Sequence, residues 1–178
     1  MTRRSRRLLA AALAVAVVGR AGAAGAESCE AAIADAEARL GMPRGLLHAM
    51  GEVEAGYDGV IWPWSLNVGG RPLRFATRRQ AEDALRRLRA DGRRNIDAGC
   101  LQLNLQWAGA GLSVEDLIDP RRNVDRAVAW LLDLKAAHGS WGAAVTRYHS
   151  ARPARMAAYE CRVVRRWAAR LGARRPDC

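Results

Sequence analysis

Six stretches of this chain repeat apolar residues every three or four positions, and that period allows few folds other than packed helices. "CEAAIADAEARLG" carries Cys29, Ala32, Ile33, Ala36 and Leu40 on one stripe and ends at Gly41. "MPRGLLHAMGEVEAG" is expected to start a second helix near Pro43 and stop at Gly56. "TRRQAEDALRRLRADG" places Ala81, Ala84, Leu85 and Leu88 on one face of a charged helix. After Asp119-Pro120, a cap and a first helical residue, Val124, Ala127, Val128 and Leu131 line the next. "SWGAAVTRYH" and "RPARMAAYECRVVRRWAARLG" complete the set, the latter with Met156, Tyr159, Val163 and Trp167 inward. "SVEDL" adds a brief helix behind a Ser113…Asp116 cap.

Two stretches break the period. "YDGVIWPWSLNVGGRPLRFAT" has prolines, a Gly69-Gly70 pair and short apolar runs, and reads as loop and hairpin. "NIDAGCLQLNLQWAG" is short, apolar and β-leaning. The expected fold is therefore mainly α (α+β), one helical domain over residues 27–178 with a small β-hairpin element.

Residues 1–26 read differently. Four early arginines precede an apolar run from Leu8 to Val18, and Ala24-Gly25-Ala26 fits an A-x-A cleavage site. That is a secretory signal pattern, and the run is short for the roughly 20 residues of a spanning helix. Export to the periplasm is the expectation. The segment holds five arginines and no acids, so the net charge of +11 becomes +6 in the mature chain. A basic surface suits nucleic acid or an anionic cell-surface polymer, and export favours the polymer. Nucleic acid is not an expected partner.

Four cysteines, Cys29, Cys100, Cys161 and Cys178, all lie in the mature chain. An even number in an oxidising compartment implies two disulfides, with three possible pairings. Without a C-x-x-C or a Cys/His cluster, no metal site is expected.

The second helix ends in "AMGEVEAGYDG", with two acids. At about 100° per residue, with Leu46 at about 0°, Met50 falls near 40°, Leu47 near 100° and Val53 near 340°. Glu54 falls near 80°, inside that apolar stripe, and Glu52 near 240°, outside it, beside His48 near 200°. Glu54 is thus expected to point into the core or a cleft. Burial and the negative helix end both raise a carboxyl pKa, which is what a general acid at neutral pH requires. A buried glutamate satisfied by an arginine or a backbone amide is equally consistent with the spacing.

Four segments in order, "EVEAG", "PWSLNVGG", "DAGCLQLN" with a tryptophan soon after, and "AAVTRYHSA", resemble the family 1 (Slt-type) lytic transglycosylases. The likeness spans roughly residues 29–168 and is greatest to small exported members that accompany secretion systems. It implies a lysozyme-like helical domain with the β element beside the active-site cleft. It also implies cleavage of the MurNAc-β-1,4-GlcNAc bond of peptidoglycan, with formation of a 1,6-anhydro ring. The family's Glu-Ser, Gly-Leu-Met-Gln and Ala-Tyr-Asn motifs correspond here to Glu54-Ala55, Gly99-Cys100-Leu101-Gln102 and Arg147-Tyr148-His149. Glu54 would be the catalytic acid and then base. Tyr148 would hydrogen-bond Glu54 or the substrate N-acetyl group, and Gln102 would contact the saccharide.

Asn67 would bind an acetamido group or make a turn. Trp62 and Trp64 would stack on sugars or pack in the core. The glycines around Cys100 would admit the saccharide to the backbone, and His149 receives no role. Asp58, the nearest second acid in the chain, reads as a turn residue. The resemblance implies no cofactor, a monomer, and peptidoglycan glycan strands as partner, with a cell-envelope secretion or conjugation machine as a further candidate. Cys29 and Cys100 both lie within the resembling stretch and are expected to pair, leaving Cys161 with Cys178. A hydrolytic muramidase, or a non-catalytic peptidoglycan-binding or assembly protein, would carry much of the same pattern.

Overall fold

The computed structural model describes residues 28–150 and 152–178, so the expected signal peptide lies outside the described residues. The described chain is mainly α with a small antiparallel sheet. In chain order the helices are α1 (Cys29–Leu40), α2 (Leu46–Ala55), α3 (Arg78–Ala90), α4 (Val114–Ile118), α5 (Pro120–His138), α6 (Trp141–His149) and α7 (Pro153–Arg170). The strands are β1 (Gly56–Tyr57), β2 (Val60–Ile61), β3 (Ser65–Val68), β4 (Arg71–Arg74), β5 (Ile96–Ala98) and β6 (Leu103–Asn104).

Local chemistry starts and stops these elements. Ser28, Thr77, Ser113, Asp119 and Ser140 each accept a backbone N–H from the first turn of the helix they precede. Thr77 and Gln80 close a reciprocal capping box. Gly41 and Gly139 end α1 and α5 in the left-handed region.

The second helix departs from expectation. It starts at Leu46, three residues after Pro43, and its N-cap is Gly45, which has no side chain to offer. The Glu37 carboxylate of α1 takes that part instead. It accepts the N–H groups of Gly45 (2.8 Å), Leu47 (2.8 Å) and His48 (3.1 Å). A cap supplied across a helix pair has no local signature, and the negative charge also suits the helix's positive end.

The β element is larger than one hairpin. Asp58-Gly59 turns β1 into β2, and Asp58 sits at φ 49°, so it is a turn residue as expected. Gly69 and Gly70, at φ 59° and 92°, form the two-residue turn between β3 and β4. Strand β5 pairs with the other edge of β3, giving the order β4-β3-β5-β6.

One core joins the helices to the sheet. Ile33, Leu47, Met50, Leu66, Leu85, Ile96, Leu101 and Leu117 are fully enclosed in it. Helix α2 runs through the middle, packed on α1 and α7. The disulfide Cys29–Cys100 ties the start of α1 to the β5–β6 turn, and Cys161–Cys178 ties α7 to the C-terminus. Among the described residues no helix is long and apolar enough to cross a membrane.

Candidate active site

A cleft of about 820 Å³ opens where the end of α2 meets the sheet and the α6–α7 corner. Val53 and Glu54 come from α2, Asn67 and Gly70 from the β3–β4 hairpin, Asp97 and Asn104 from β5 and β6, and Tyr148 and His149 from α6. The four motif segments, far apart in sequence, therefore meet in one place.

The two glutamates of α2 part as the angular argument requires. Glu52 lies on the outer side, bound to Arg170 at 3.0 Å and 3.3 Å from His48 Nδ1. The Glu54 side chain is only 7% exposed. Its Oε1 is buried and meets no hydrogen-bond donor among the described residues. Burial raises its pKa from 4.5 to about 8. The nearby Asp97 carboxylate adds to the rise, while Tyr159 and Arg162 oppose it. The buried Tyr159 hydroxyl has no closed hydrogen bond among the described residues either, so it acts on Glu54 as a nearby dipole. At neutral pH Glu54 is a protonated acid facing a polar cleft.

His149 Nδ1 stands 3.8 Å from Glu54 Oε1, and its ring stacks on Tyr159 with centroids 4.9 Å apart. Burial lowers the His149 pKa, and Arg162 and Arg155 lower it further. A neutral imidazole beside a neutral carboxyl does not compete for the acid's proton as an ion pair would. This arrangement rests on α7 packing against α2 and α6, which no local sequence signal encodes: His149 belongs to a motif without a role, and Tyr159 to the inner face of the last helix.

Asp97 is the second carboxyl of the cleft. It lies on β5, its pKa is raised by burial, and Asn104 Nδ2 donates to its Oδ1 at 2.7 Å, which opposes the rise. Asp58 is an exposed turn residue and does not line the cleft. Periodicity says nothing of Asp97 because it occupies a three-residue strand.

Other expected site residues reach the cleft with their hydrogen bonds already committed. Tyr148 lines it, but its hydroxyl donates to Leu101 O at 2.8 Å, not to Glu54. Its phenol pKa is raised by burial first and by Glu54 and Asp97 next, so it stays protonated. Gln102 adopts the left-handed region at φ 45°. Its Nε2 donates to Gly99 O (2.9 Å) and Ser65 Oγ (3.0 Å), which fixes the turn. Asn67 Oδ1 accepts the Gly70 N–H at 2.7 Å, so Asn67 both makes the turn and lines the cleft.

Gly99 serves packing. At φ 79° a Cβ there would lie 2.3 Å from Asn123 Nδ2 and 2.5 Å from Leu117 O, so the expected approach of saccharide is not the reason for this glycine. Asn123 is fully buried, accepts from Leu101 N and donates to Ala98 O and Leu117 O. It thereby clamps the motif turn onto α5.

The two readings of Trp62 and Trp64 resolve toward packing. Trp62 and Trp64 stand off the cleft, edge to face, and Trp62 Nε1 donates to Phe75 O at 2.9 Å. Trp107 and Trp130 line it instead, and Trp107 is 71% exposed. Such exposure of a large ring in a polar cleft suits stacking on a flat ligand face. Trp107→Ala is expected to leave the melting temperature within about 1–2 °C and, if the cleft turns over a ligand that stacks there, to raise KM several-fold with little change in kcat, as removal of a ground-state contact does. Steady-state kinetics and a thermal melt check both.

Among the described residues no group of three or more His, Cys, Asp or Glu side chains converges as metal ligands do. Comparison of the chain with protein-family models, curated proteins and solved structures finds no match.

Proposed function

We propose that this chain is a peptidoglycan lytic transglycosylase with a lysozyme-like domain, exported to the periplasm. The observation that supports it best is the Glu54 carboxyl: buried, unpartnered at Oε1, with a pKa near 8, in a cleft built from the four motif segments. The two disulfides accord with an oxidising compartment.

In this reading Glu54 gives its proton to the glycosidic oxygen, and the C1–O bond breaks toward that oxygen. The neighbouring N-acetyl group of MurNAc stabilises the cationic C1, as in substrate-assisted glycosidases. Glu54, now ionised, takes the proton of the C6 hydroxyl while that oxygen bonds to C1. Glu54 is restored, no water enters and the product ends in a 1,6-anhydro ring. Tyr148, anchored to Leu101 O, keeps its hydroxyl lone pairs for the substrate. Ala55, where the resembling family has serine, is buried and offers Glu54 no hydroxyl, in keeping with the unpartnered Oε1. The test is a digest of purified sacculi followed by mass spectrometry. Anhydro ends weigh one water less than reducing ends.

Asp97 supports a second reading, a hydrolytic muramidase, because glycoside hydrolysis usually employs two carboxylates. The Asp97→Asn variant separates the two. A hydrolase with Asp97 holding water or the sugar cation would lose most of its rate. The transglycosylase keeps forming anhydro product, and the loss of a nearby negative charge lowers the Glu54 pKa. The alkaline limb of its pH–rate profile should then move toward lower pH.

A further inference from the structure

Four arginines line the cleft where α6 passes into α7: Arg147 on α6, Arg152 at the N-cap of α7, and Arg155 and Arg162 on α7. None of them has a carboxylate within salt-bridge distance among the described residues. Other exposed arginines, such as Arg71, Arg93, Arg165 and Arg166, are unpaired among the described residues as well, so what sets these four apart is that they line one cleft together. Arg147 spends a single long N–H contact of 3.4 Å on Ala143 O of its own helix, and Arg162 lies over the Tyr159 ring at 5.7 Å. Arg155 and Arg162 are seven residues apart, two helical turns, and so share a face.

Their field is felt at the chemistry. Arg162 opposes the rise of the Glu54 pKa, and Arg162 with Arg155 lowers that of His149. The acids of the cleft do not reach these arginines: Glu54 has only His149 within ion-pair distance and Asp97 has Asn104, among the described residues. A guanidinium cluster of this kind lacks only an anion, and its planar forks match carboxylate.

We propose that Arg147, Arg152, Arg155 and Arg162 form a carboxylate-binding subsite at the α6–α7 end of the cleft, which selects glycan strands bearing peptide stems with free carboxylates. This rests on the transglycosylase reading and adds to it the part of the substrate that is not sugar. The glycan backbone of such strands is neutral where the lactyl group is amide-linked, so the stem's carboxylates are the anions that enter with it.

The experiment compares purified sacculi with the same sacculi after conversion of their carboxyls to primary amides. Wild-type protein is compared with Arg152→Gln/Arg155→Gln. A control pair, Arg165→Gln/Arg166→Gln, removes the same charge from exposed positions of α7 that do not line the cleft. Amidation is expected to lower kcat/KM about fivefold for wild type and for the control pair, in line with two exposed arginine–carboxylate contacts. The cleft pair should begin about fivefold lower on native sacculi and be indifferent to amidation. Equal rates of wild type on both substrates, or a cleft pair that keeps the wild-type preference, overturn the subsite. If no form of the protein cleaves either substrate, the transglycosylase reading fails, and co-sedimentation with the two sacculi then decides the subsite. Weaker retention on amidated sacculi, lost in the cleft pair only, supports it; equal retention overturns it.

Discussion

Glu54→Gln is expected to lower the rate of sacculus cleavage by about a thousandfold, the scale of a lost general acid, while making the protein more stable above neutral pH. The amide keeps the size of the side chain and cannot donate or take the proton that the reaction needs. The stability effect follows from linkage. The folded protein holds a proton on Glu54 up to about pH 8, whereas the unfolded chain releases it near the ordinary value of 4.5. A raised carboxyl pKa means that its contribution to stability is complete at low pH. That contribution falls as pH rises past the unfolded value and is gone above the folded one. Glutamine has no such slope. The stability difference between variant and wild type should therefore grow by roughly 3–4 kcal/mol between about pH 4 and pH 8. Urea melts across that range read it directly. Parallel profiles would mean that Glu54 is ionised in the native state, and an unchanged digestion rate would remove it from the chemistry. The wild-type rate itself should fall as pH rises through about 8, because the acid must start protonated.

The separation of Glu54 from Glu52 was legible because helical geometry is local. Ten residues suffice to set the angles, and the buried stripe of Leu46, Leu47 and Met50 is the one the spacing predicts. The same holds for α1, α3, α5 and α6, whose caps are short-range. Helix α2 began later than expected because its cap is Glu37, donated by another helix.

Residues that belong to the site only through packing were not legible. Tyr159 reads as core from α7 alone, and it is core; that its hydroxyl lies near Glu54 depends on how α7 crosses α2. Asp97 sits in a strand too short to show a period, and its partner Asn104 is in the next. For Trp62 and Trp64, stacking and packing were both open, and packing is what the structure shows. Trp62-Pro-Trp64 packs beside the hairpin, whereas Trp107, the tryptophan that follows the third motif, is the exposed ring, and exposure of one ring over another has no local signature. Gln102 and Tyr148 were placed in the cleft from their motifs. Their hydrogen bonds to Gly99, Ser65 and Leu101 could not be read, since each depends on the left-handed turn at Gln102.

That turn is held by Cys29–Cys100, and replacing this pair is the largest stability loss we expect. The bridge spans 71 residues and Cys161–Cys178 spans 17. Loop-closure entropy grows with the logarithm of the span, giving about 4 kcal/mol for the first and about 3 kcal/mol for the second. Burial widens the gap. Cys29 and Cys100 are fully enclosed, so Cys29→Ala/Cys100→Ala also removes packed sulfur from the core, while Cys178 is exposed. The two bridges should differ in function as well. Cys100 lies between Gly99 and Leu101, whose carbonyls hold Gln102 and Tyr148, so its loss loosens two cleft residues at once. Cys161–Cys178 fastens the tail to α7, and neither of its cysteines lines the cleft, although Cys161 precedes Arg162 in the chain. Under graded reductant Cys161–Cys178 should open first, seen as two alkylated cysteines in the intact mass with activity largely kept. Opening of Cys29–Cys100 should coincide with global unfolding and loss of activity. A Cys29→Ala/Cys100→Ala protein as stable as the Cys161→Ala/Cys178→Ala protein would contradict both the entropic and the packing argument.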